Sequence, residues 1–264
     1  MLAKLLSENK SLSKNNRFER IWLLAKIDFK KRYYDQGLGI LWALINPLFK
    51  LLVYYFAFTY IMTSRIPSFA LYLFSGIIAW AFFGQATKKG INLLKNKKYL
   101  IESIQFEQLD LFISASLSVF FAFLFNLAAY FVIHFLYQVP ISLTMLYLPI
   151  LVINMFVLVL GISILLATIN IYLRDITHLW DMVLLAGFWL TPIIYQKELI
   201  LDNYYFLAYI NPMFGIIVNL RETVLYGRPP LYDLFFYNII LAIILMVIGV
   251  FVYKKFAHKA VEKL

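Results

Sequence analysis

The side chains able to do chemistry are few, and most lie at the edges of long apolar stretches. The densest group is Lys88-Lys89-Gly90-Ile91-Asn92-Leu93-Leu94-Lys95, followed by Glu102 and Glu107. Apolar anchors mixed with cations suggest a short helix that docks on something. The plainer alternative is an orientation signal, or a surface for anionic headgroups. Lys50 and His134 stand inside apolar stretches. The histidine is expected to be a satisfied interhelical group rather than a proton relay, since no intramembrane carboxylate accompanies it. Trp180, Leu184, Gly187, Thr191 and Tyr195 follow one another at spacings of four, three, four and four, which gives one helix a small or polar face with aromatic ends. That face is either a packing seam or the wall of a conduit.

Catalytic signatures are absent. The chain has no GxxxxGK[ST] phosphate loop, no HExxH, no GxSxG and no carboxylate pair within its apolar stretches. It has no cysteine, so disulfides, thiolate zinc and iron–sulfur clusters are excluded. The chain is expected to be no enzyme and to hold no cofactor or metal. Ion-coupled carriers place ionisable groups within the membrane, and their scarcity here argues against secondary transport. Energy, if used, must come from another polypeptide.

These residues are positioned by elements meant for lipid. Of 264 residues, 63% are hydrophobic and 14% charged, against about 45–50% and roughly 25% in a soluble domain. An uncharged stretch of 63 residues covers 111–173, too long for one helix crossing roughly 30 Å. It divides at Gln138-Val139-Pro140-Ile141-Ser142, where proline cannot continue a helix. Six crossings are expected: two before the loop containing Lys88, two in 111–173, one over about 176–196, and one over 234–253. Residues 203–220 are interrupted by Asn211-Pro212 and read as short helices at or partly within the interface. Lysine and arginine number 19 on one side and only 4 on the other, where Arg65, Lys197, Arg221 and Arg228 lie. The positive-inside rule then places both termini in the cytoplasm. This bias explains the +10 net charge without nucleic acid. The first sixteen residues turn polar at once and are expected to carry no signal peptide.

Residues 14–35 are expected to form an amphipathic helix in the cytoplasmic interface, capped by Asn16 with Glu19 reaching back. Phe18, Ile21, Trp22, Ala25 and Phe29 share its apolar face. In the first span, Asn46-Pro47 is expected to mark the start of the fully formed helix. Lys50 then lies about one turn from the cytoplasmic face and snorkels there; the alternative is a functional intramembrane cation. Ser114, Ser118, Ala122 and Asn126 recur every four residues, and Asn154, Gly161 and Thr168 every seven. Both sets read as close-packing seams.

Several segments resemble, in order, the ABC-2-type exporter permeases. They are Lys30-Lys31-Arg32-Tyr33 with Gly37-Leu38-Gly39-Ile40-Leu41-Trp42-Ala43-Leu44-Ile45-Asn46-Pro47-Leu48; Asn92-Leu93-Leu94; Tyr172-Leu173-Arg174-Asp175-Ile176; Thr191-Pro192-Ile193-Ile194-Tyr195; and Asn211-Pro212-Met213 with Arg221. The length and compact outer loops are most similar to the polysaccharide branch, which exports O-antigen, capsule or teichoic acid. Two features depart from the pattern. Lys50 stands where such proteins usually have an apolar residue, and 95–107 lacks a Phe-Pro-Arg-like sequence.

The resemblance implies an all-α membrane protein forming one transmembrane domain over 1–264. Residues 1–37 would be a cytoplasmic tail and interfacial helix, 38–256 the six-span region, and 257–264 a cytoplasmic tail. It implies a homodimer in a bacterial cytoplasmic membrane, docked on two copies of an ATPase subunit that binds ATP and magnesium. The substrate would be a lipid-linked polysaccharide. Gly90, Ile91, Asn92, Leu93, Leu94 and Lys95 would form the coupling segment, and Trp22, Lys30, Lys31 and Arg32 the entrance, where the cations steer a carrier's pyrophosphate. Tyr55, Thr59, Tyr60, Trp180, Thr191 and Tyr195 are the conduit candidates, because aromatic faces hold a sliding sugar polymer weakly. The alternatives are a permease for a drug or small lipid, or a membrane channel or enzyme with no ATPase.

Overall fold

The computed structural model describes residues 17–33, 37–61, 66–103 and 107–261. The proposed cap at Asn16, Arg65 and the last three residues lie outside them. Among the described residues every regular element is helical. Helix α1 spans Arg17–Tyr33. A 3₁₀ turn at Gly39–Leu41 leads into α2, Trp42–Phe56, which continues as a π turn to Ile61. Then come α3 (Phe69–Ile91), α4 (Leu93–Asn96), α5 (Lys98–Ser103) and α6 (Leu109–Leu136). A 3₁₀ turn, Leu143–Tyr147, opens α7, Leu148–Tyr172. The rest is α8 (Ile176–Leu190), α9 (Glu198–Leu201), α10 (Leu207–Ile210), α11 (Pro212–Val224) and α12 (Tyr232–Val261).

Among the described residues, five helices are long and apolar enough to cross a membrane: Gly39–Ile61, Phe69–Ile91, Leu109–Leu136, Leu143–Tyr172 and Tyr232–Phe256. The sequence expects a sixth over about 176–196, but α8 has only 15 residues, about 22 Å. It stops because Pro192 drives the residue before it out of the helical region; Thr191 is extended, with φ −98° and ψ 138°. The chain nonetheless continues beside α3. Trp180 reaches Thr87, Gly187 abuts Trp80, and Tyr195 accepts a hydrogen bond from Tyr72, one turn from the start of α3.

Helices α3 and α7 form the buried centre. On α7, Gly161 lies against the backbone of Leu245 and Met246, and Gly249 of α12 lies against the carbonyl of Gly161. No side chain fits between them, so these two backbones touch, as small residues permit in lipid. The 63-residue stretch breaks where expected. After α6, Gln138 turns left-handed (φ 54°), and the Ser142 side chain accepts from the Thr144 amide to start the next turn.

The segment before α12 differs from the short interfacial pieces expected. Every residue from Met213 to Val224 is buried, so α11 is an internal helix. Asn211 caps it by accepting from the Met213 amide at 3.1 Å, and Pro212 takes the first position, where its missing N–H costs nothing.

Helix α2 starts at Trp42, one turn before the expected point. Pro47 lies inside it and deprives the Ala43 carbonyl of its i+4 donor. Asn126 of α6 supplies the replacement, donating from Nδ2 to that carbonyl at 2.9 Å. The four-residue seam on α6 is therefore a packing face: Ser118 receives Lys89, Ala122 meets Tyr33 and Ala43, and Asn126 braces α2. His134 is fully buried, packed among Tyr130, Phe131 and Phe135.

Candidate functional site

At one end of the bundle, charge pairs bind α1 to the helices beside it. Arg17 and Arg20 both reach Asp110, at 2.7 and 2.8 Å, on the first turn of α6. Asp28 bridges Lys89 at 3.1 Å and Lys97 at 2.8 Å. Burial pushes the Asp28 carboxyl up, but the two ammonium groups outweigh it and hold the carboxyl below its ordinary range. Aromatic packing continues the seam. Trp22 and Phe29 sit edge-on to Phe121, with centroids 5.3 and 5.9 Å away. Helix α1 thus lies along the first half of α6, with Ile21, Ala25 and Tyr33 buried. None of these carboxylates was singled out from the sequence, because each pairs across tens of residues.

The segment after α3 has two faces. Ile91, Leu93 and Leu94 are at most 2% exposed. Leu93 and Leu94 sit among Leu111, Phe112, Leu160, Ile164 and Tyr253. Sequence reasoning assigned them to an outside partner; instead they anchor the segment to its own bundle. Gly90 is pressed so closely on Ser163 that no Cβ fits. Asn170 of α7 locks the turn, donating to the Ile91 carbonyl at 2.9 Å and accepting from Lys95 at 3.1 Å. Lys95, Asn96 and Tyr99 form the outward face, while Asn92 is half-buried.

Where α1, α2, α3 and α6 meet, a cavity of about 150 Å³ opens, lined by Arg32, Trp42, Asn46, Gln85 and Asn126 among others. Arg32 donates to Gln85. Lys30 and Lys31 are exposed on the outer side of α1, and Trp22 is 58% exposed.

Helices α2 and α8 together present a largely uncovered side. Phe49, Leu52, Val53, Phe56 and Tyr60 are exposed on α2; Met182, Val183, Leu185 and Trp189 are exposed on α8. Tyr54 and Phe188 join the two helices, with centroids 5.9 Å apart. Of the conduit candidates, Tyr60 is fully on this side, while Tyr55, Thr59, Trp180 and Tyr195 are half-buried at its edge. Tyr55 leans on Phe69, and the Trp180 indole donates to Thr87. Thr191 faces inward. Its hydroxyl donates to the Gly187 carbonyl and accepts from Asn211, so it fixes the α8–α11 junction and lines no open surface of this chain.

At the opposite end Arg221, counted from the sequence among the far-side cations, is 2% exposed. Its guanidinium donates to the carbonyls of Tyr72, Pro192 and Ile193 and lies 3.4 Å from the Tyr72 ring centroid. It staples α3, α11 and the segment after α8, and Gly76 leaves the room for it. Lys197 pairs with Glu222 at 2.7 Å beside a cavity of about 190 Å³. Among the described residues no cluster able to hold a metal occurs.

The family model for the ABC-2 type transporter matches residues 19–225. An O-antigen export system permease protein RfbA from Klebsiella pneumoniae is 26% identical over 246 residues, covering 93% of this chain and 95% of the relative. A second from that organism is 25% identical over the same shares. One from Myxococcus xanthus is 27% identical over 210 residues, 78% of this chain and 80% of the relative.

Proposed function

This chain belongs to the ABC-2 type transporter family, as one of its membrane permeases, and we propose that it exports a lipid-linked polysaccharide of the O-antigen kind across the bacterial cytoplasmic membrane. The similarity to O-antigen export permeases over 93% of the chain carries this reading. In it, two copies of the chain meet and each docks on a separate ATPase subunit, which holds ATP and magnesium. The segment over about 176–196 completes a sixth crossing, and both ends of the chain lie in the cytoplasm.

In this reading each part has a task. Lys95, Asn96 and Tyr99 meet the ATPase, while Ile91, Leu93 and Leu94 transmit the push into the bundle. Lys30, Lys31 and Arg32 draw the anionic carrier to the entrance. The uncovered side of α2 and α8 faces the second copy, and the conduit runs between them. Tyr55, Thr59, Tyr60, Trp180 and Tyr195 rim it. A polymer must slide, so many weak aromatic contacts serve better than one tight site.

Tagged chain purified in mild detergent is expected to bring down an ATPase subunit, and cells lacking the chain to accumulate polymer inside. Purification without any nucleotide-binding partner, together with normal polymer outside deleted cells, overturns the proposal.

A further inference from the structure

Lys50 is exposed on α2 with only apolar neighbours in sequence: Phe49 before it, Leu51, Leu52 and Val53 after. The sequence placed it near the cytoplasmic face, and the packing does not. Tyr55, five residues on, leans on Phe69, the first residue of α3, with centroids 6.2 Å apart. The basic pair Lys88 and Lys89 closes the other end of α3, about 29 Å away at 1.5 Å per residue. Lys50 therefore lies about 20 Å from the level of those lysines. Its four-carbon stem is far too short to snorkel there. The far end is nearer, but a helical Cβ points toward its helix's N-terminus, which turns Lys50 back toward Asn46 and away from that exit.

An ammonium at this depth needs a counter-charge or water, and no acid among the described residues pairs with Lys50. Among the described residues α2, α3 and α7 contain no acid. Asp110 is taken by Arg17 and Arg20, and Asp181 by Lys88 at 2.6 Å. Asp233 lies in the first turn of α12 and no ion pair joins it to Lys50. A second copy facing α2 would bring its own Lys50 and an Asp181 already paired with Lys88.

We infer that Lys50 is a cationic station inside the conduit, where it receives the diphosphate that joins the carrier lipid to its sugar. The inference rests on the exporter reading and deepens it, because a lipid-linked sugar cannot cross without passing its phosphates through the apolar layer. Arg32 meets the diphosphate at the entrance, and Lys50 meets it partway across.

The chain contains no cysteine, so one introduced thiol reports alone. Phe49→Cys and, separately, Lys50→Cys are labelled in membrane vesicles carrying the full chain, using membrane-impermeant thiol reagents of equal size and opposite charge. Val247→Cys, on the exposed side of α12, is the lipid-facing control. Both thiols should react far faster than the control. At Phe49→Cys the anionic reagent should lead by about tenfold, as expected for one nearby charge in a watery space. Adding Lys50→Met should bring that ratio near one, and Lys50→Arg should keep it. A short-chain prenyl diphosphate should slow the labelling, while the matching prenol and a soluble acidic oligosaccharide should not. Labelling no faster than the control, a ratio indifferent to Lys50→Met, or protection by the acidic sugar alone overturns the station. None of these readings needs the ATPase: its absence on co-purification, together with normal polymer outside deleted cells, would sink the exporter reading while leaving the anion site standing.

Discussion

Replacing Asn126 with leucine should be costly in the native chain and nearly free once Pro47 is alanine. Pro47 has no N–H, so the Ala43 carbonyl loses its donor four residues on. Asn126 makes good that loss from another helix, at 2.9 Å. Ala43 is 6% exposed, so water cannot readily take over. An orphaned buried carbonyl costs about 1–3 kcal/mol, and leucine is close enough in shape to leave little void. Asn126→Leu alone should therefore lose about 2 kcal/mol. With Pro47→Ala the amide of residue 47 bonds Ala43 directly, and Asn126→Leu should cost less than about 0.5 kcal/mol. The hydrogen bond from Asn126 to Ala122 in its own helix, at 2.8 Å, and any packing lost with the proline ring cancel in the double-mutant cycle. Unfolding in mixed micelles by titrated dodecyl sulfate, followed through the five tryptophans, gives all four free energies. Equal losses in both backgrounds would refute the substitution of a side-chain amide for a backbone one.

Gly161→Ala pushes a methyl to 2.6 Å from the Met246 amide nitrogen; α7 and α12 must separate, and stability should fall by about 1–3 kcal/mol, read as a lower melting temperature in detergent. Leu93→Asp should abolish folded protein, whereas Lys95→Glu with Tyr99→Ala should leave the melting temperature within a few degrees and reduce ATPase co-purification; the reverse pattern would contradict the two-faced segment. Asp28 is held below its ordinary range, so its contribution is complete above that range and is lost as pH falls through the lowered value. Proteolysis between α1 and the bundle should thus be unchanged from pH 7 to about pH 5 and rise only below about pH 4, whereas Asp28→Asn should expose the cut site already at pH 7.

Local patterns exposed much of the fold. Uncharged length and Pro140 gave the division between α6 and α7, and the four-residue seam on α6 proved to be a packing face. Asn211-Pro212 marked a helix start that is real, although the helix is internal. What stayed hidden was contact across sequence distance. Nothing near Asp28 or Asp110 announces two cationic partners each. The spacing of Leu93 and Leu94 shows an apolar side but not which body it meets. Lys50 looked shallow because Asn46-Pro47 was taken as the helix start, whereas Asn126, 83 residues from the Ala43 carbonyl it bonds, lets α2 begin one turn sooner. Arg221 was counted only as a far-side cation because folding alone brings the carbonyls of Tyr72, Pro192 and Ile193 around it.

The Asp28 carboxylate has a mechanical consequence. It holds Lys97, just past α4, and Lys89, at the end of α3, through one oxygen. Helix α1 is therefore a tie rod between the segment that a motor would strike and the chain leading to α2. In the proposed exporter, a push on α4 would pass through Lys97 and Asp28 into α1 and so along α6.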